Sequence, residues 1–329
     1  MSRSQAWWTA ATLLYACTNE MRFAAIESES SIVAGGGVGA SAGSSPIDAG
    51  QAGLATAGVG AGAGPAAGVG GADNASGAAG AGAGTAEIPQ PIGPTGPFVL
   101  TLSQECDGEL GPDWITKWVP EPDAPTDRTI GHTSEYVSDA NVSVVGGLCI
   151  IVAEHVASPP EFERPYTSGT INTADHFVQG LGYFEARFKS VSGQGVWADW
   201  RLRTTSGWPP AIDVAGVYGR DPTTVVMANY WGLKYPDHQS YIAEYPSGQD
   251  LSASYHVFGV ERTATELVWY VDGVERARTT DGADQQDPRF LSLAILVGKT
   301  GAQPEAAPAD NSIFPMEMAI DWVRAWQRE

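Results

Sequence analysis

Cysteine, basic side chains and long apolar runs are all scarce in this chain, and each shortage closes off a class of reading. Three cysteines in 329 residues cannot build a disulfide-dense scaffold. With 18 Lys and Arg against 38 Asp and Glu, the formal charge is −20. Phosphate backbones are held by clustered cations, so nucleic acid is not an expected partner. The acidic balance favours solubility and says little about a neutral ligand. His132, His155, His176, His238 and His256 show no ligand spacing such as His-x-His, which argues against a transition-metal site. The mostly apolar run Ala6 to Ala16 is too short to cross about 30 Å of hydrocarbon.

That run, preceded by Arg3, has the form of a signal peptide over residues 1–16. It ends in Leu14-Tyr15-Ala16-Cys17, which resembles the bacterial lipobox. Cys17 is then the expected lipidation site, and acylation would hold the chain at a membrane without a spanning helix. Residues 17–97 are a Gly/Ala-rich linker, as in Gly60-Ala-Gly-Ala-Gly64 and Gly80-Ala-Gly-Ala-Gly84. Large apolar side chains are too few there to offset the entropy of ordering, so a disordered tether is expected. A coil of about 70 Gly-rich residues has a mean reach of roughly 45 Å.

Residues 98–328 are long enough for one large domain. Period-two patterning marks Phe98–Leu102, Tyr183–Phe188 and Met316–Trp326 as strands. Glu266–Val271, Asp272-Gly273 and Val274–Arg278 read as a hairpin on a type I′ turn. No comparable amphipathic helix is present. An all-β domain built as a two-sheet antiparallel sandwich or jelly roll follows.

Seven strings then fall in a recognisable order: Asn141–Leu148, Tyr166–Thr173, Gly182–Lys189, Gly193–Trp197, Trp208-Pro-Pro210, Tyr270-Val-Asp-Gly273 and Asp321–Trp326. In that order they resemble glycoside hydrolase family 16. The resemblance implies a concanavalin A-like β-jelly roll with a groove for β-glucans, agars, carrageenans or related polymers. Active members carry Glu-x-Asp-x-x-Glu, or the shorter Glu-x-Asp-x-Glu, on one strand just after a segment like Trp208-Pro-Pro210. Alternate residues share a face, and a bulge returns the later Glu to it. Retaining hydrolysis needs two carboxyls about 5–5.5 Å apart.

Here the strand reads Ala211-Ile-Asp213-Val-Ala215-Gly216. By the resemblance, Ala211 stands in the nucleophile's place, and Gly216 (longer form) or Ala215 (shorter form) in that of the acid/base; only the helper, Asp213, is acidic. Asp199, in Trp197-Ala-Asp199-Trp-Arg201, is the alternative partner, since alternation that points Trp197 into the groove points Asp199 and Arg201 there too. The competing reading makes Arg201 the structural counter-ion of Asp213 or Asp199.

The resemblance further assigns Glu185 and Arg187 to sugar hydroxyls, with a ligand-free cross-strand ion pair as the alternative. Trp197 and Trp231 are candidates for stacking on sugar rings or for core. Asn229 stands where a His is common, and Ala294 where an Asn is frequent. No cofactor is required, but a structural Ca²⁺ through Asp321 and carbonyls near Gly147 is implied, with Asp321 as a strand-end cap the alternative. With Cys17 lipidated, Cys106 and Cys149 remain as an even pair in an oxidising compartment. The resemblance brings their flanking segments together, while strand alternation can aim Cys149 away from Cys106.

The expectation is therefore an exported monomer, lipid-anchored to a bacterial membrane, outer membrane or cell surface. It binds a polysaccharide of the β-glucan, agar or carrageenan class without cleaving it, or cleaves it with a non-standard carboxylate pair.

Overall fold

The computed structural model describes residues 88–119, 128, 130, 132–157, 164–234, 237–299, 306–308 and 310–329. The signal peptide, Cys17 and most of the expected linker lie outside them. Within them the chain runs through β1 (Phe98–Gln104), β2 (Glu135–Val137), β3 (Val142–Val145), β4 (Leu148–His155), β5 (Tyr166–Ser168), β6 (Thr170–Asn172), β7 (Gly182–Lys189) and β8 (Val196–Arg203). It continues through β9 (Ala211–Tyr218), β10 (Thr224–Gly232), β11 (His238–Pro246), β12 (His256–Arg262), β13 (Leu267–Val271), β14 (Val274–Thr279), β15 (Phe290–Val297) and β16 (Met316–Arg328).

These strands form two sheets, one of ten and one of six. The larger runs β14-β13-β12-β7-β16-β4-β5-β2, with β1 also on β16 and β3 on β4; the smaller runs β11-β10-β9-β8-β15-β6. Almost every pairing is antiparallel, the exception being β2 with β5. The expected all-β, two-sheet jelly roll is what the chain adopts. The expected hairpin is there too: β13 and β14 flank Asp272 and Gly273, both at positive φ as a type I′ turn requires.

Alternation decides what each strand buries. Phe184, Ala186 and Phe188 of β7 and Trp200, Leu202, Ile212 and Leu293 of the six-stranded sheet meet in one apolar layer. Each such large side chain contributes about 1.5–3 kcal/mol relative to exposure. Cys106 and Cys149 are joined as a disulfide with Cα atoms 5.3 Å apart, inside the same layer.

The ordered domain begins earlier than residue 98. Residues 88–97, expected as linker, lie on the outer face of the ten-stranded sheet: Trp326 Nε1 donates to Pro89 O, Tyr183 Oη to Ile92 O, and Ile92 N–H to Glu185 Oε2. Tyr183 lies flat across Gly259, where a Cβ would sit 2.1 Å from its hydroxyl, so only glycine fits beneath it. Glu185 is thereby sealed from water, and its Oε1 has no hydrogen-bond partner. Burial pushes its carboxyl up to about 8, against the opposing pull of the Ile92 N–H, the Tyr183 hydroxyl and Arg324. Glu135, equally buried, is pushed up to about 7 although Val297 N–H donates to it.

Two outcomes follow from this packing. A folded pKa above the unfolded value means that the contribution of Glu185 is complete below about pH 4.5 and is lost as pH rises through about 8. Denaturant titrations should show stability falling by on the order of 2–4 kcal/mol over that window, and Glu185→Gln should flatten the fall; an unchanged pH profile in the variant would show that this carboxyl does not drive it. Replacing Cys106 and Cys149 together by serine opens a crosslink with a sequence separation of 43. Loop-closure entropy sets the expected loss at about 4 kcal/mol, readable in the same titrations.

Candidate functional site

Strands β8, β9 and β10 lie side by side, and their register builds the site. Arg201 faces Asp213, and Asp199 faces Gly216. Two residues on β8 thus span three on β9, which is a bulge. The bulge turns Val214 and Ala215 into the core and returns Gly216 to the outer face shared by Ala211 and Asp213. Gly216, and not Ala215, is therefore the residue that shares the Asp213 face. The carbonyl of Asp213, displaced at the bulge, accepts from Trp269 Nε1 of the opposite sheet at 3.0 Å. Gly216 does not owe its identity to the backbone: a Cβ there would meet only Val226, at 3.6 and 3.8 Å.

Arg201 sits between two carboxylates. Its Nη2 lies 2.6 Å from Asp199 Oδ1 and its Nε 3.2 Å from Asp213 Oδ1. Asp199 is 1% exposed, Asp213 13% and Arg201 15%, so the last two are what solvent reaches. Burial pushes Asp199 up to about 7, with Arg201 pulling down and Asp213 pushing further up. Asp213 is also raised by burial, with Arg201 and Arg203 opposing. For Arg201, the two carboxylates outweigh burial and strengthen its hold on its proton. Arg201 and Arg203 oppose the burial of the two carboxylates without cancelling it, so the Asp199–Asp213 pair is raised as a unit, and Asp199 Oδ2 is left with no hydrogen-bond partner.

An aromatic patch borders the trio. Tyr230 faces Ala211 across β9 and β10. The Trp208 ring packs at a tilt with its centroid 5.3 Å from that of Tyr230 and 4.7 Å from that of His238, and remains partly exposed. Sequence reasoning missed this patch, although Trp208 stood in a quoted string and Tyr230 beside Asn229. His132, half-buried, is pushed down to about 4 by burial and by the charges of Arg201, Arg203 and Lys299, which keeps its imidazole neutral.

Several expected groove residues lie elsewhere. Glu185 and Arg187 belong to β7 of the ten-stranded sheet and face its outer side, because Phe184, Ala186 and Phe188 take the core side. There Arg187 pairs with Asp321 of β16, which is the cross-strand alternative. Asn229 and Trp231 share the parity of Val225 and Met227, whose side chains are core. Asn229 accordingly donates to Asp281 O, and Trp231 lies against Gly282. Trp197 does point outward, but Trp118 and Ile130 pack on it with Ala294 and Leu296, leaving it 2% exposed and unable to stack on a ring. Arg203 lies over the Trp118 ring at 4.1 Å and closes the same corner.

The implied calcium does not suit the residues present. A Ca²⁺ takes six to eight oxygens, whereas the Asp321 carboxylate is already occupied by Arg187. Gly147 sits in the β3–β4 turn at φ 77°, where the closest carboxylate oxygen to its would-be Cβ is that of Asp107 at 3.9 Å. Among the described residues no three His, Cys, Asp or Glu side chains gather as a metal cluster.

The arginine can be removed as a test of the trio. Arg201→Met leaves two buried carboxyls without their cation, and stability at pH 8 should drop by about 3–5 kcal/mol. Protonation should relieve most of that loss at pH 5, because burial raises both carboxyls. An equal loss at both pH values would point to packing and not charge.

Comparison with known proteins bears on the same strands. The family model for Glycosyl hydrolases family 16 matches residues 133–324, a span that runs from before β2 to within β16. The endo-1,3-1,4-beta-glycanase EglC of Rhizobium meliloti (strain 1021) is 31% identical over 238 residues, covering 69% of this chain and 49% of its own length. ExsH of the same organism, also an endo-1,3-1,4-beta-glycanase, is 33% identical over 230 residues, covering 65% and 47%. The chain thus spans about half the length of these two relatives. The laminarinase catalytic domain of Thermotoga maritima MSB8 superposes with a TM-score of 0.61 at 27% identity, over 70% of this chain and 99% of that one. By the extent of the family match and the strands it covers, the chain belongs to glycosyl hydrolase family 16.

Proposed function

We propose that this domain binds a β-glucan or a related neutral polysaccharide on the outer face of its six-stranded sheet without hydrolysing it. One observation carries the reading. On the bulged strand β9 the two positions flanking Asp213 on the outer face are Ala211 and Gly216, and neither can attack an anomeric carbon or protonate a leaving oxygen. What remains suits binding: the partly exposed Arg201 and Asp213 offer hydrogen bonds to hydroxyls, and Trp208, backed by the buried Tyr230, offers an aromatic face to a sugar ring. The named activities of the relatives supply the substrate class: two are endo-1,3-1,4-beta-glycanases and one solved structure is a laminarinase. The same reading keeps the domain exported and held to a membrane through a lipid on Cys17.

A second reading rests on Asp199. It stands directly across from Gly216, and burial pushes its carboxyl up to about 7, so it could serve as the acid, with Asp213 as the second carboxylate, in a displaced hydrolytic pair. Arg201, bound to both, opposes this by competing for the lone pairs that the chemistry needs.

The chain from Thr18 onward, tested on β-1,3-, β-1,4- and mixed-linkage glucans, agarose and carrageenan, separates the two. Binding and released reducing ends are scored on the same samples. Retention of a glucan with no release, weakened about tenfold or more by Trp208→Ala, is the expected outcome. Release that disappears in Asp213→Asn would overturn the non-catalytic reading and establish the second one. Absence of binding to every polymer would overturn both.

A further inference from the structure

Register lines up one residue from each strand of the six-stranded sheet: Asn172 of β6, Ser292 of β15, Arg201 of β8, Asp213 of β9, Ala228 of β10 and Ile242 of β11. These residues point to the outer face, because their neighbours along the strands, such as Ile171, Leu293 and Leu202, take the core side. Exposure along the row is lopsided. Asn172 and Ser292 are sealed, solvent reaches Arg201 and Asp213, Ala228 is buried in the cluster with Tyr230 and Trp208, and Ile242 is 41% exposed. The flanking rows repeat the contrast: Phe290, Ala294 and Leu296 of β15 are no more than 1% exposed, whereas Ser240 and Glu244 of β11 are exposed.

The sealed side is closed by chain that precedes β2. Ile115 adds to the edge of β6, its N–H donating to Asn172 O at 2.8 Å and its carbonyl accepting from Asn172 N–H at 2.9 Å. The Asn172 side chain then holds the next turn of chain by donating from Nδ2 to Lys117 O at 2.7 Å. Trp118 follows and packs with Ala294, Leu296 and Trp197. Arg203 lies between the rings of Trp118 and Phe290, 4.1 Å and 5.4 Å from their centroids. At the other end of β15, Ser134 N–H donates to Val297 O at 2.8 Å and Ser134 Oγ to Gly298 O at 2.7 Å.

Both ends of β15 are therefore roofed, and the polar group beneath is left idle: Ser292 Oγ is buried with no partner, one place along the row from Arg201. The partly exposed Trp208 lies on the other side of the trio, against Tyr230 of β10 and His238 of β11. From β8 to β11 there are three inter-strand steps, about 14 Å, or about three sugar rings. A polymer crossing the strands from the β11 side meets the aromatic face first, then Asp213 and Arg201, and then the wall of Arg203 and Trp118.

We infer that the outer face is a dead-ended site, which takes the terminal rings of a β-glucan chain across β11 and β10 and stops them at the Trp118–Arg203 wall, and does not hold an internal stretch of the polymer. The inference rests on the reading that this face binds glucan and adds which part of the chain it recognises. A through-running stretch needs an exit, and the roof over β15 and β6 removes it; a terminus needs only the entrance. Trp118 and Arg203 are then specificity-determining residues, although neither belongs to β9.

The test uses the full chain and β-1,3- and mixed-linkage glucans cut to defined lengths, with binding read by calorimetry. A site for termini counts chains and not rings, so chains one tenth as long should half-saturate the protein at about one tenth of the mass. Each chain should hold one protein however long it is. Affinity for oligosaccharides should rise to about three rings and level off, against about five for a groove open across all six strands. A cyclic β-glucan, which has no terminus, should not compete. Trp118→Ala, once its melting curve shows that it folds, should shift half-saturation toward dependence on mass; the length series and the cyclic competitor decide the matter without it. Half-saturation set by mass alone, several proteins on one chain, or competition by the cyclic glucan would overturn the inference and leave glucan binding intact. Binding to no glucan would overturn both. Release of short fragments from chain ends alone would overturn the non-hydrolysing reading and uphold recognition of termini.

Discussion

A guanidinium held between two buried carboxylates governs what the outer face of the six-stranded sheet can do. Asp199, Arg201 and Asp213 are drawn together because a β-bulge on β9 offsets its register by one residue against β8. Without that offset, Gly216 would not face Asp199 and the trio would have no matching row on the neighbouring strand. The bulge itself depends on the core, since Trp269 of the opposite sheet satisfies the carbonyl that it displaces. Taking ions out of water is expensive, and a pair breaks even only when hydrogen bonds meet the remaining lone pairs. Here Asp199 Oδ2 is left over, and burial raises the carboxyls of the Asp199–Asp213 pair.

The same arrangement bears on the proposal that this face binds without hydrolysing. A retaining mechanism needs one carboxylate free to attack and one acid free to give up its proton. Arg201 ties the carboxylates of Asp199 and Asp213 to a cation, while the residues at the flanking outward positions, Ala211 and Gly216, carry no functional group. Around them lie the partly exposed polar groups of Arg201 and Asp213 and, at the side, the partly exposed ring of Trp208.

Much of this was legible in the chain because it depends on local rules. The hairpin at Asp272-Gly273 follows from turn chemistry, and the all-β sandwich from period-two patterning. The ion pairing of Arg201 followed from alternation along a single strand. Residues failed where the answer depended on which sheet a strand joins. Glu185 and Arg187 alternate correctly with Phe184 and Phe188, but alternation gives only two faces and does not say that the polar one is the outer face of the ten-stranded sheet, under residues 88–97. Asn229 was placed one residue out of phase, which inverts the face of every side chain on a strand. Trp197 was given the right face and the wrong environment, since Trp118 and Ile130, far away in sequence, close over it. The Cys106–Cys149 link was likewise undecidable from alternation, because Cys106 lies outside β1 at a positive φ of 57° where strand parity no longer applies.

Buried arginines expose the difference between a charge that a fold has balanced and one that it has not. Arg201 meets two carboxylates and holds its proton more firmly than in water; Arg262 and Arg289 meet backbone carbonyls and one distant carboxylate, and hold theirs less firmly.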